Sequence, residues 1–437
     1  MNRDQSPPRP VPYRWLIFAL LAAGYLLVYF HRLSPAVVAV DMMRDLSAGG
    51  ALMGLLGSAY FYPYALMQLP AGLLSDSWGP RKTITVSFVL AGGASIFFGL
   101  APTASWAIVA RVLVGLGVSM LFVPAMKALT SWFKRSEFAM MAGVLMAMGG
   151  LGVLTAAAPL AYASAVLGWR GSFVAIGVVT LVLAAALWFL VRNKPEDLGF
   201  PPVEEPLSKS GAGEAISLKS GITLVLRRRA FWPVAAWLFF TAGIFFTFGG
   251  LWGGPYLMHV FGLTKAQAGR ILSMQALAMI VGSPLFSYLS DRVHSRKKLL
   301  VADSLALIVV VAPLAFFPGA LTPFWLHVHC FLFGLTSSAI IPIGFTTAKE
   351  LFPTSMAGTS VGLVNFFPFL GGALLQPLVG WMLQARGPAG GPFSAEAYGW
   401  AFWPIFVSSL LALGAALLAT ETFGGFDYRE GRFSKTK

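Results

Sequence analysis

The sequence predicts an all-α integral membrane protein: twelve transmembrane helices in two pseudo-symmetric six-helix bundles, with both termini cytoplasmic. Three observations predict it. Hydrophobic residues make up 57% of the 437 residues and charged residues only 11%, where a soluble domain carries about a quarter charged. Such a chain, of mean hydropathy +0.75, has too little polar surface to dissolve. Second, twelve apolar runs reach the roughly 20 residues that a spanning helix needs. Third, Gly72-Leu-Leu-Ser-Asp76-Ser-Trp-Gly79-Pro-Arg81-Lys82 nearly repeats as Ser287-Tyr-Leu-Ser-Asp291-Arg292-Val-His294-Ser-Arg296-Lys297, 215 positions later and about half a chain away.

The apolar runs are 15–40, 51–75, 83–102, 104–132, 137–165 and 171–192, then 231–260, 267–290, 298–318, 323–349, 355–385 and 398–420. A polar stretch rich in Pro, Gly, Ser and charge separates the two sets of six. The expected organisation is a tail (1–14), a bundle (15–192), a cytoplasmic linker (193–230), a second bundle (231–421) and a tail (422–437). The first apolar run has no small-residue cleavage site, so it is expected to stay as a helix. Ala142-Gly143 and Ala357-Gly358 repeat with the same 215-residue offset. Parallel halves of this kind hold substrate near the midplane between them.

The net charge of +14 is better explained by topology than by nucleic acid. With both termini in the cytoplasm, only Arg44, Arg170, Lys265, Arg270 and Arg386 of the 31 Lys and Arg face the other side. Arg32, Arg111 and Lys127 fall inside helices, and the rest lie in cytoplasmic loops, as the positive-inside rule requires. The lone Cys330 cannot form an internal disulfide. There is no phosphate-binding loop, metal cluster or nucleophile motif. The chain is therefore expected not to be an enzyme and to need no cofactor. It is expected to act as a monomer in a bilayer, with a bacterial inner membrane as its location.

Charge inside a membrane marks a functional site by default. In the first run, Tyr25, Tyr29 and Arg32 share one helical face. Arg32 lies past the midplane, where a guanidinium can hold a carboxylate through two parallel hydrogen bonds; snorkelling to the interface is the alternative. In the second run Tyr60, Tyr64 and Gln68 share a face, and tyrosine hydroxyls in lipid need partners that a polar cavity supplies. In the eleventh run Asn365 and Gln376 offer further polar groups. Trp252 and Tyr256 could wall the cavity or form an interface belt. Lys127 is expected to snorkel. None of the 17 Asp and Glu falls in the central part of a run, so a cavity with Arg and His but no carboxylate favours an anionic occupant.

The doubled loop has the pattern Gly-x-x-x-Asp-x-x-Gly-x-Arg-Lys. With the twelve runs and the central linker it resembles the major facilitator superfamily. Arg111-x-x-x-Gly115-x-Gly117 and Gly168-Trp169-Arg170 resemble further signatures of that family. In the second loop Ser287 and His294 stand where glycine is usual. The resemblance implies a gating motif made of Gly72, Asp76, Gly79, Arg81 and Lys82, with Asp291, Arg292, Arg296 and Lys297 as its second copy. Charge pairs across the cytoplasmic face would latch the outward-open state; plain topological anchoring is the other reading.

Tyr29-Phe-His31-Arg32 resembles the helix 1 pattern Asn-Tyr-x-Asp-Arg of the anion:cation symporter branch, which includes sugar-acid transporters. That resemblance implies that Arg32 contacts the anion and that Tyr64 and Asn365 match substrate-contacting positions. His31 replaces the aspartate that takes part in proton coupling there. It is either the proton-linked group or a structural hydrogen-bonder. Arg111 is either structural or a relay group. The expected activity is proton-coupled uptake of a small carboxylate by alternating access, with Tyr29, Tyr60, Tyr64, Asn365, Gln376 and Trp252 around Arg32. The rivals are an antiporter or exporter of an anionic or amphipathic compound, and a transporter-like ligand sensor.

Overall fold

The computed structural model of the protein describes residues 12–203, 218–352, 356–387, 392–423, 426–427 and 432–433. Most of the expected amino-terminal tail, the middle of the expected linker and most of the carboxy-terminal tail lie outside the described residues.

The first half of the chain holds α1 (Tyr13–Leu33), α2 (Pro35–Asp45), α3 (Gly50–Ser58), α4 (Phe61–Leu66) and α5 (Gln68–Trp78). It continues with α6 (Pro80–Leu100), α7 (Ala104–Val118), α8 (Phe122–Trp132), α9 (Arg135–Ala156) and α10 (Ala158–Leu190). The short helix α11 (Leu218–Arg227) precedes the second half, which begins with α12 (Phe231–Thr247) and α13 (Gly253–Phe261) around a π-helical turn, Phe248–Trp252. Then come α14 (Lys265–Val293), α15 (Arg296–Phe316) and α16 (Pro323–Ser337), followed after a second π-helical turn by α17 (Thr346–Glu350). The last four are α18 (Ala357–Val364), α19 (Phe366–Arg386), α20 (Ala395–Ala401) and α21 (Trp403–Leu418). A two-residue antiparallel pairing joins Phe426 with Phe433 and Asp427 with Arg432.

Among the described residues, 11 helical runs are long and apolar enough to cross a membrane. The expected run 51–75 is not among them, because it folds as three short helices in series, α3 to α5. Proline explains both breaks. Pro63 and Pro70 lack the amide that would bond the carbonyls of Ala59 and Leu66, and the helix is interrupted at Ala59–Tyr60 and at Met67. The expected gap between 165 and 171 is found as Gly168, whose φ of 69° and ψ of 167° interrupt α10. A further break at Ala157 was not expected.

Within the first half α6 packs on α7 and α10, and α1 on α9; within the second, α12 packs on α19 and α21, and α14 on α16. Between halves, α3 and α4 lie along α19, and α14 lies against α9 and α10. We call the side where α1 starts and α21 ends the terminal face.

Candidate functional site

A cavity of about 190 Å³ lies between the halves. Tyr25, Tyr29 and Arg32 of α1 reach it from one side, with Tyr64 from α4. Phe245 and Phe246 of α12 and Phe369 of α19 face them. From Arg32 the wall runs past Phe122, Met146, Ser283 and Ile341 down to Val361 and Asn365. At 1.5 Å per helical residue, Arg32 is roughly 28 Å from the start of α1, whereas Val361 is only about 6 Å from the start of α18. The cavity therefore extends toward the terminal face.

Arg32 is the centre of this site. It is 3% exposed, and its guanidinium carbon lies 4.4 Å from the ring centre of Tyr29, 4.7 Å from Tyr64, 4.9 Å from Phe369 and 5.7 Å from Phe246. Ring faces stabilise a desolvated cation by about 0.5–2 kcal/mol each, but they do not neutralise it. No carboxylate among the described residues forms an ion pair with it, and Nε has no hydrogen-bond partner. The cavity wall thus carries a positive charge with no carboxylate in an ion pair with it among the described residues.

His31 points elsewhere. Adjacent helical residues diverge by about 100°, and His31 is buried against α10, with Nε2 3.3 Å from Thr180 Oγ1 and Nδ1 unpartnered. Arg111, fully buried in α7, donates from Nη1 to the His31 carbonyl at 2.8 Å. Its Nε and Nη2 are unpartnered. Neither residue lines the cavity. Tyr60 lies one layer behind the wall, stacked on Tyr64 at 5.6 Å and 22° and 5.0 Å from the Arg111 guanidinium.

Asn365 lines the cavity and donates from Nδ2 to Gln68 Oε1 at 2.5 Å, a bond between the halves. Gln376 and Trp252 do not line it. Gln376 donates to the Phe246 carbonyl at 2.7 Å, and the Trp252 indole donates to the Gln376 carbonyl at 3.0 Å. The pair fixes α12 and its π-helical turn against α19. Tyr256 packs in an aromatic cluster with Phe248, Tyr398 and Phe402.

The sequence reading missed Phe246 and Phe369 as cavity residues, because a phenylalanine in an apolar run carries no distinguishing mark. Ser283, Ser337 and Ser338 were also missed; hydroxyls in two runs that pack together were the available signal. Asp303 of α15 is 2% exposed, with both carboxylate oxygens unpartnered. It lies away from the cavity.

The two loop copies differ in construction. Gly79 has φ 82°, and a Cβ there would press on the Asn193 amide, which accepts from the Arg81 backbone N–H at 2.9 Å. Asp76 accepts from Lys127 at 2.7 Å, and Lys127 also donates to the Ser75 carbonyl. Lys127 therefore pairs rather than snorkels. A Cβ on Gly72 would meet only Val123, at 3.9 Å, and Arg81 reaches the Trp188 carbonyl at 2.8 Å. In the second copy His294 takes the left-handed conformation, φ 52°. Arg296 binds Glu350 at 3.0 Å and approaches Asp291 at 3.9 Å. Glu421 accepts from the backbone N–H groups of Arg296 and Lys297. Arg292 donates to the Tyr288 hydroxyl at 3.0 Å.

The comparisons with known proteins agree with this architecture. The family model described as Major Facilitator Superfamily matches residues 16–376. A probable sulfoacetate transporter of Cupriavidus necator is 25% identical over 401 residues, covering 87% of this chain and 90% of its own. A hexuronate transporter of Bacillus subtilis is 25% identical, covering 86% and 90%. A glycerol-3-phosphate transporter of Haemophilus influenzae is 24% identical, covering 86% and 87%. Among solved structures, a bacterial homologue of the human lysosomal transporter Spinster has a TM-score of 0.76 at 21% identity, covering 98% of this chain and 100% of its own. Its likeness concerns the fold. These relatives are transporters, not enzymes. The chain is a multi-pass membrane transporter and belongs to the Major Facilitator Superfamily.

Proposed function

We propose that this transporter moves a small organic anion, a carboxylate, by alternating access, and that it does so as a monomer with twelve spans and cytoplasmic termini. The single observation that carries the reading is Arg32: a buried cation on the cavity wall, with no carboxylate in an ion pair with it among the described residues. An unneutralised charge at that depth is costly, and an anionic ligand removes the cost. Tyr29 and Tyr64 flank it, and Asn365, bonded to Gln68, closes the wall below. The relatives are named for sulfoacetate, hexuronate and glycerol-3-phosphate, all anions. With the terminal face cytoplasmic, the state described is open inward.

Proton-coupled uptake is the mode we favour. His31, with Nδ1 free one residue from Arg32, is the candidate proton-linked group, and Arg111 is tied to its carbonyl. The loop residues around Asp76 and Asp291 form the latch of the opposite state, in which Asp76 and Arg296 exchange their present partners for cross-half ones. The test is uptake into proteoliposomes with an imposed pH gradient. Arg32→Ala should abolish saturable anion uptake; uptake at the wild-type rate removes the assignment. Counterflow that ignores the gradient would replace symport by exchange. Ligand binding without flux would point to a sensor.

A further inference from the structure

The cavity wall says more about the anion than its charge. We propose that the occupant is a monoanion with a compact apolar or aromatic body, not a dianion and not a polyhydroxylated acid. The inference rests on the anion reading above and narrows it.

The charge count comes first. Arg32 is the one charged residue lining the cavity among the described residues. Arg111 is buried behind α1 and spends a hydrogen bond on the His31 carbonyl, and Lys127 is held by Asp76. A second negative charge on the ligand would find no partner in a low-dielectric site, where an unpaired charge is strongly disfavoured.

The hydrogen-bond inventory comes next. The wall serines have already spent their donors: Ser283 on the Ser338 carbonyl at 3.3 Å, Ser337 on the Phe333 carbonyl at 2.9 Å and Ser338 on the Leu335 carbonyl at 2.6 Å. The Asn365 amide donates to Gln68, and the Tyr25 hydroxyl points to Met146 Sδ at 3.6 Å. Arg32 and the phenols of Tyr29 and Tyr64 remain at one end, and the second N–H of Asn365 at the other. Most hydroxyls on a sugar-like body would leave water for a wall that offers few free donors between those two ends, and an unreplaced hydrogen bond is costly.

The rest of the wall is ring and hydrocarbon. Phe122, Phe245, Phe246, Phe345, Phe369 and Met279 all line the cavity. Phe246 and Phe369 stack at 5.7 Å and 14°, which gives a flat wall beside the charge. Such a wall favours a ring or a branched alkyl group by area removed from water.

The test is binding to the purified full-length protein in nanodiscs, by calorimetry or thermal shift. The probes are benzoate, phenylacetate and 3-methylbutanoate against glucuronate, succinate and glycerol-3-phosphate. The apolar monocarboxylates should bind about tenfold or more tightly than the other three. Phe369→Ala should lower benzoate affinity while leaving the sign of that preference unchanged. Glucuronate, succinate or glycerol-3-phosphate binding equally well or better overturns the proposal, as does failure of all three apolar acids to bind at millimolar concentration. Benzamide serves as the control for the underlying reading. If it binds as tightly as benzoate and Arg32→Gln changes neither, the anion reading itself fails. If Arg32→Gln abolishes binding of every anion but glucuronate is preferred, only the present inference fails.

Discussion

The two faces of the transporter are built on different physics. On the face away from the termini the halves touch backbone to backbone. A Cβ on Gly254 would collide with the Ala36 carbonyl, and Gly50 and Gly380 lie against each other's carbonyl oxygens. Ala51 N–H donates to Gln384 Oε1 at 3.0 Å, and Lys265 pairs with Asp41 across the gap. On the terminal face the ion pairs among the described residues stay within one half: Arg14–Glu137 at 2.9 Å, Asp76–Lys127 at 2.7 Å and Arg296–Glu350 at 3.0 Å. One face is thus sealed by steric fit with one ion pair between the halves added among the described residues. The other holds its charges in partnerships that can be exchanged. The teaching is that a sealed face depends on absent side chains, and an opening face on movable ones.

The largest effect should come from breaking the steric seal. Gly254→Ala places a methyl group against a carbonyl, and overpacking of that kind costs about 1–3 kcal/mol. Transport should fall about tenfold or more, and a cysteine placed at Ala51 should become reactive from the far side. Gly93→Ala is the control, because a Cβ there meets nothing within 4 Å. Equal transport by the two variants would refute the steric account.

Next comes the far-side ion pair, whose side chains are 22% and 19% exposed. Asp41→Asn should weaken closure by about 1 kcal/mol, read as a severalfold rise in the same cysteine's reactivity. The swap Asp41→Lys with Lys265→Asp should restore most of it. No change in the single variant would leave the pair as decoration.

On the terminal face, Asp76→Asn removes a pair whose carboxylate side chain is 73% exposed. Thermal stability should hardly move. Turnover should still drop if Asp76 latches the opposite state. Unchanged turnover together with an unchanged balance between the two open states would reduce the motif to an anchor.

The smallest effect concerns Glu421. Partial burial disfavours its charge, but the Ser295 hydroxyl and the amides of Phe423, Arg296 and Thr422 outweigh it and hold its pKa below the ordinary value. A lowered folded pKa means stabilisation that is fully present above the unfolded value of about 4.3 and is lost as pH falls through the folded value. Glu421→Gln should therefore lower the melting temperature slightly at pH 7, and the gap should shrink as the buffer is acidified. A gap independent of pH would separate the loss from the carboxylate's charge.

The sequence was legible wherever a residue type is rare in lipid. Arg32 stood out in an apolar run, and the i, i+4, i+7 spacing placed Tyr25 and Tyr29 on its face. Tyr64 was marked by its hydroxyl. The same spacing set His31 on another face than Arg32 but left its role open between proton-linked group and structural hydrogen-bonder, because relative angles around a helix do not give a side chain's partners. Gln376 and Trp252 were polar groups at plausible depths, yet they bond each other's segments above the cavity. Pro63 and Pro70 were visible, but apolar length outweighed them in reading one continuous span.

By itself the sequence determined that the chain enters a membrane, that its halves repeat, and that Arg32 lies deep within it. Composition decides the first because lipid rejects charge, and a fixed residue offset decides the second. Only the tertiary structure decided which side chains surround that arginine, that Lys127 meets Asp76, and that Asp41 meets Lys265 from 224 positions away. These are contacts between helices. They depend on rotation and crossing of rigid rods, which hydropathy does not encode.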